Sequence, residues 1–248
     1  MNTYQIHVDT ATLATIGGAN TSPIISKIGS NPFQCSVLLG NRHRALHRAA
    51  LKNAQIPVGF FNVRSPYNSI QIASNTFTIV PGNYTTPSTF LTALSNATST
   101  NGTWAYLSNT NQLSFTSSIG STTLTVPTGQ SYPSLAQLIG FPASQSGTTI
   151  TAPNSYTINF DTYLNIWIEN FGPSSLEPSQ ITYKVPMNTL TGNVMYWNEN
   201  SQFCQDLKIT DRNARVDRLN VTVTDRFGNI PSNNGLDWSF TLEIESDN

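Results

Sequence analysis

The sequence predicts an all-β protein, a single antiparallel jelly-roll sandwich interrupted by a small α+β insertion domain. Three observations predict it. Beyond about residue 155, segments alternating apolar and polar residues recur at short spacing with turn residues between them, as in a sandwich. Between Ser65 and Phe160 there is no Asp, Glu, Lys, Arg or His; every formal charge lies outside that stretch. The same stretch carries core-forming residues, among them Phe77, Phe90, Leu94, Trp104, Phe115 and Phe141, and its periodicity shifts twice from strand to helix. A segment with its own apolar set and its own composition reads as a domain inserted into another.

Residues 3–9 (TYQIHVD) alternate and read as a first strand. Residues 10–33, rich in Gly, Ser, Thr, Asn and Pro, read as an arm or loop. Gln34–Gly40 gives a second strand. Asn41–Asn53 is open between two readings: Ala45, Leu46, Ala49, Ala50 and Leu51 fit a helical face, whereas Leu46, Arg48, Ala50 and Lys52 fit alternation along an extended strand. The strand reading is favoured, because the run leads directly into Ala54-Gln55-Ile56-Pro57 and the strand-like Val58–Val63.

Within the insert, Asn75–Val80 alternates and Pro81–Tyr84 is turn chemistry. Pro87–Ala97 places Phe90, Leu91 and Leu94 at helical spacing behind Thr86 as N-cap and a proline at the first helical position. Thr103–Leu107 and Gln112–Thr116 flank Ser108–Asn111 and read as a hairpin, followed by a strand at Thr122–Val126. Tyr132–Phe141 reads as a short helix with Gly140 as its stop. The order β-α-β-β-β-α makes a compact α+β unit. Residues 142–155 read as the return linker. Strands then follow at Tyr156–Phe160, Leu164–Glu169, Ile181–Val185, Gly192–Trp197, Leu207–Thr210, Arg218–Thr224 and Trp238–Glu245. Together with the early strands they approach the eight of a jelly roll. The expected division is 1–72 with 155–248 for the jelly roll, residues 1–33 being its first strand and arm, and 73–154 for the insert.

Charged residues are 10% of the 248, against about 25% in ordinary soluble domains. Hydroxyls and amides replace them, a surface that suits packed β-structure and large protein contacts, where charges would have to be desolvated. The net charge of −1 gives no global attraction to nucleic acid or anionic membrane. No apolar run approaches the ~20 residues of a membrane span, and Met1–Tyr4 does not open a secretory pattern. Cys35 and Cys204, each on a β-like segment, are expected as reduced thiols.

Chemistry-bearing patterns are sparse. His43 and His47 have no intervening Glu and no third ligand nearby, so no metal is expected. Asp and Arg residues alternate in sign from Asp206 to Arg226 without the spacing of a calcium loop, and read as ion pairs. There is no phosphate-binding loop, nucleophile elbow or dinucleotide fingerprint. An insert without acid, base or imidazole supplies no general acid–base group beyond tyrosine hydroxyls. Neither catalytic activity nor a cofactor is expected. Two contact surfaces stand out. Arg42, Arg44, Arg48 and Lys52 form the strongest basic cluster, either a solvated face or a contact for phosphate or an acidic partner. Tyr84, Trp104 and Tyr106 are either core and interface residues or an outer-surface site stacking on sugar rings.

Four segments in this order carry a family resemblance: Ala54-Gln55-Ile56-Pro57 before Phe60-Phe61-Asn62-Val63; Asn75–Tyr84 before the helix with Phe90 and Leu94; Gln112–Thr116 before Leu138-Ile139-Gly140-Phe141; and Val221–Asn229 with Trp238–Glu245. Over roughly residues 40–245 the chain resembles the penton, or vertex, capsid proteins of large icosahedral DNA viruses and virophages whose major capsid protein is a double jelly roll. The resemblance implies a structural viral protein of the virion, without catalytic residues. It implies a homopentamer closing the icosahedral vertex, with the insert extending outward and the basic run as an inward contact. The implied partners are further copies of itself, the double-jelly-roll major capsid protein, other minor capsid proteins and a vertex fibre, with no specific nucleic-acid sequence. The alternatives are another single-jelly-roll minor capsid or cement protein, and a glycan-binding head or spike.

Overall fold

A computed structural model describes residues 2–11, 25–27, 31–38, 44–130, 132–158, 161–170, 180–189, 191–198, 207–208 and 218–247. The chain divides into two compact units, Met1–Phe60 with Asp161–Asn248, and Phe61–Phe160.

The first unit opens with β1 (Asn2–Asp9), β2 (Ile25–Lys27), β3 (Gln34–Leu38) and β4 (Arg44–Pro57). The second holds β5 (Ser69–Ile72), β6 (Asn75–Thr78), α1 (Pro87–Thr98), β7 (Gly102–Leu107), β8 (Gln112–Ser117), β9 (Thr122–Thr125), α2 (Leu135–Leu138), β10 (Gln145–Gly147) and β11 (Thr149–Thr151). The first unit resumes with β12 (Tyr163–Asn170), β13 (Gln180–Pro186), β14 (Val194–Asn198), β15 (Leu207–Lys208), β16 (Arg218–Thr224) and β17 (Ser239–Asp247).

In the first unit one sheet runs β1-β17-β4-β14, with short β15 also on β4, and the other runs β13-β12-β16-β3-β2. All pairings are antiparallel. Leaving aside short β2 and β15, the strands taken in chain order pair first–last–third–sixth in one sheet and second–seventh–fourth–fifth in the other. That is the double Greek key of a jelly roll. The core is what alternation leaves facing inward: Leu164, Ile166 and Ile168 on β12, Leu219, Val221 and Val223 on β16, and Phe240, Leu242 and Ile244 on β17 are all fully buried. On β4 the register against β17 shifts between Leu51 and Asn53, leaving Lys52 as the extra residue of a bulge. The inward set therefore changes from Leu51 to Ala54 and Ile56, and one strand keeps its apolar residues inside along its whole length.

The second unit has two small antiparallel sheets, β10-β9-β5-β6 and β11-β8-β7. Its helix α1 starts where the sequence places it. Thr86 accepts from the Thr89 amide, Thr89 reciprocates, and Pro87 opens the first turn. Phe90, Leu94 and Thr98, four residues apart, form its buried stripe.

Several expectations are corrected. Val58–Val63 is not a strand: Val58 bonds to Asn193 and Val63 makes a single bridge to Gly82. The stretch 142–155 is not a bare linker, since its Thr, Ser and Gly residues form β10 and β11 against β9 and β8. The helix expected at Tyr132–Phe141 is the single turn of α2, capped by Ser134. Tyr156–Ile158 is irregular. The arm contains β2, which extends the second sheet beside β3. The insert begins at Phe61, not near residue 73, because β5 pairs with β6 and β9 and not with either jelly-roll sheet. Asn41–Asn53 resolves as strand from Arg44 onward, with 41–43 outside the described residues. Cys35 is buried on β3, and Cys204 lies outside the described residues.

Candidate functional site

The basic cluster belongs to β4, and its surroundings are set by register. β17 lies antiparallel beside it, with Glu245 opposite Arg48 and Glu243 opposite Ala50. Alternation puts Arg48, Lys52 and both carboxylates on one face of the sheet, turned away from the core. An Arg48 Nη1 donates to Glu243 Oε1 at 3.1 Å and to Glu245 Oε1 at 2.7 Å, and Lys52 Nζ donates to Glu243 Oε1 at 3.0 Å. This half of the cluster is a mixed-charge ladder, which a phosphate or acidic partner would have to break to bind. Arg44 pairs through its main chain with Asp247, its side chain lying outside those described, and Arg42 is outside the described residues. His47 is in β4 with its side chain likewise undescribed, and His43 lies outside. Among the described residues no three His, Cys, Asp or Glu side chains converge on a metal position, and no helix is long and apolar enough to cross a membrane.

The three insert aromatics part company. Trp104 is 8% exposed, against Phe115 and Phe141, with its indole N–H donating to Thr98 Oγ1 at 2.9 Å. That hydroxyl in turn donates to the Leu94 carbonyl. Trp104 is a core residue, not an outer-surface contact, because it sits on the inward side of β7, where α1 closes over it. Tyr84 is half-buried, its ring edge-on to Phe90 at 5.7 Å and its hydroxyl donating to the Val80 carbonyl. Burial pushes its phenol pKa up.

Tyr106 keeps one side open. Its hydroxyl donates to Asn111 Oδ1 at 2.9 Å, and its ring meets Tyr156 edge-on at 6.0 Å. Tyr156 stacks on Phe90 at 5.8 Å, so Tyr84, Phe90, Tyr156 and Tyr106 form one aromatic row. Asn111 takes the left-handed conformation (φ 53°) at the end of the β7–β8 turn, which asparagine tolerates. Its amide also donates to the Tyr156 carbonyl. The Tyr106 ring is thus held from two sides.

The open side of Tyr106 lines a groove with Ser88, Leu91, Thr92, Ser95 and Asn96 of α1. Leu91 was expected on the helical face with Phe90 and Leu94 and instead lines the groove, half-buried, because Thr98 takes the third place in the inward stripe; Ser88, Thr92, Ser95 and Asn96 were not singled out as a contact surface. The signal was present, since they are what remains when Phe90, Leu94 and Thr98 turn inward, but nothing local says that Tyr106 lies beside them. The unit's single charged residue, Arg64, is 7% exposed, donates to the Phe61 carbonyl and lies over the Tyr67 ring.

No protein-family model and no curated protein matches the chain. Among solved structures, the crystal structure of the SeMet-labelled mavirus penton protein aligns over 98% of this chain and 100% of that chain, at 9% identity and a TM-score of 0.43. The fold assignment rests on the strand order itself: a single jelly roll whose connection between β4 and β12 holds a second compact unit.

Proposed function

We propose that this protein is a structural capsid subunit, a penton, of which five copies close the vertex of an icosahedral virion. The observation that carries the reading is the single jelly roll interrupted between β4 and β12 by a unit with one charge, itself buried. Five copies around an axis bring identical patches close together. Like charges there would repel, most of all where burial lowers the dielectric, and an uncharged surface avoids this. The ordered segments that resemble vertex proteins support the same reading.

The jelly-roll unit offers a matching edge. Among the described residues β14 is paired on one side only, the run Val185–Asn198 that contains it is uncharged, and it exposes Val194 (39%) and Tyr196 (68%). Edge strands are ordinarily guarded by charge, and one that is not fits a covered contact. The partners on this reading are neighbouring copies, a double-jelly-roll major capsid protein, other minor capsid proteins and a vertex fibre. Arg48 and Lys52 already meet carboxylates, so an inward basic contact through them would have to displace Glu243 and Glu245.

Native mass spectrometry of the full chain tests the assembly, and electron microscopy of particles tests the location. Pentamers and density at the vertices are expected. A strictly monomeric or trimeric particle component overturns the reading and leaves the cement-protein alternative.

A further inference from the structure

The groove between α1 and Tyr106 has a chemistry that selects its occupant. Four of its lining side chains, Ser88, Thr92, Ser95 and Asn96, are neutral hydrogen-bonding groups, Leu91 is apolar, and Tyr106 is an aromatic platform. A hydrocarbon ligand would leave the Ser88 and Ser95 hydroxyls and the Asn96 amide unmatched on desolvation, the Thr92 hydroxyl alone donating within the helix, to the Ser88 carbonyl. An anionic ligand finds no cation within this unit: no charged residue lies between Ser65 and Phe160, and Arg64 is buried under its own contacts. A ligand with ring C–H faces and many neutral hydroxyls satisfies both parts at once.

Tyr106 is preorganised for such a ligand. The bond to Asn111 Oδ1 and the edge contact with Tyr156 fix the ring before anything binds, so little rotamer entropy is lost on association. The helix side is fixed as well, because Phe90 and Leu94 are fully buried and hold α1 against β7. Small hydroxyl side chains at successive turns present hydrogen-bonding groups along the groove without long, flexible stems, Thr92 as an acceptor because its own proton goes to the Ser88 carbonyl.

We propose that this groove is a binding site for uncharged oligosaccharide, with Tyr106 stacking against a sugar ring and Ser88, Thr92, Ser95 and Asn96 bonding its hydroxyls. The site lies wholly within the second unit and does not depend on the vertex reading. A chain that fails to form pentamers can still bind glycan, and the reverse.

The test is an array carrying neutral oligosaccharides (hexose- and N-acetylhexosamine-terminated) beside sialylated and sulfated ones, probed with the full chain. Hits are then titrated. Binding confined to neutral glycans is expected. Tyr106→Ala is expected to weaken it roughly tenfold or more, and Tyr106→Phe to keep it within about threefold. Thr92→Lys guards against a folding artefact. Thr92 is exposed, and lysine is the better helix former, so this variant folds while its side chain crosses the groove; binding is expected to vanish. No neutral glycan bound, binding only of anionic glycans, or full binding by Thr92→Lys overturns the proposal.

Discussion

Tyr156 is buried between Phe90 and Tyr106, and its hydroxyl has no hydrogen-bond partner among the described residues. A buried polar group without a partner destabilises the folded state. Tyr156→Phe, which deletes only that oxygen, is expected to raise stability at pH 7 by about 1 kcal/mol; a lowered melting temperature would contradict this. The same site sets a pH dependence. Burial first, and the neighbouring Tyr106 second, push the Tyr156 phenol well above its ordinary 10.0. The unfolded chain therefore gives up this proton near pH 10 while the folded chain holds it. Stability is full below that pH and falls as pH rises through it. Melting curves from pH 8 to 11 should show the decline, and Tyr156→Phe should flatten it. Gly140 adds a steric prediction. It sits at φ 107°, where a Cβ would lie 2.5 Å from the Asn154 carbonyl oxygen. Gly140→Ala is expected to lose about 1–3 kcal/mol in denaturant unfolding, by strain and overpacking together. That Gly140 ends α2 is legible from its place after an apolar run; that Asn154 presses against it is not.

At the scale of elements, β4 and β17 carry the longest ladder of the jelly roll, and its outer face is tied by charge. Glu243 receives both Arg48 and Lys52, so Glu243→Gln is expected to lose about 1 kcal/mol at low ionic strength and less in 1 M salt, where such pairs are screened. Urea titrations at the two salt concentrations check this. The turn between β16 and β17 is organised by Asp225, fully buried, whose Oδ1 accepts from the amides of Phe227 and Asn229 at 2.9 Å each. Asp225→Ala leaves both donors short of a partner and is expected to cost about 2 kcal/mol, read by the same titration. The strands with clean alternation, such as β12 and β16, were legible because each buries one face. The short strands β10 and β11 were not. Their residues are Ser, Thr, Gly and Gln with one Ile, and they become strands only because β8 and β9 offer open edges.

At the scale of the whole molecule, the proposed ring makes β14 decisive. Tyr196→Arg puts a charge on an exposed edge and is expected to shift pentamers to monomers in native mass spectrometry while leaving the melting temperature of the single chain within about 2 °C, as surface substitutions ordinarily do. Pentamers that persist would move the contact elsewhere on the chain.

Two properties were determined by the sequence alone. Period-two alternation and turn residues specify an antiparallel sandwich, because each strand must turn one face inward. The absence of charge from Ser65 to Phe160 marks the insert and leaves it without a carboxylate, imidazole or cationic side chain, whatever its fold. Tertiary structure decided which residues meet. Trp104 and Tyr106 are two positions apart on β7 and both aromatic; the first bonds to Thr98 beneath α1, while the second stays open beside the groove. Arg48 and Lys52 read as a basic patch until β17 lies beside them with Glu243 and Glu245. In each case the deciding partner is distant in sequence or carried by another element, and only packing brings it within the few ångströms over which hydrogen bonds and ion pairs act.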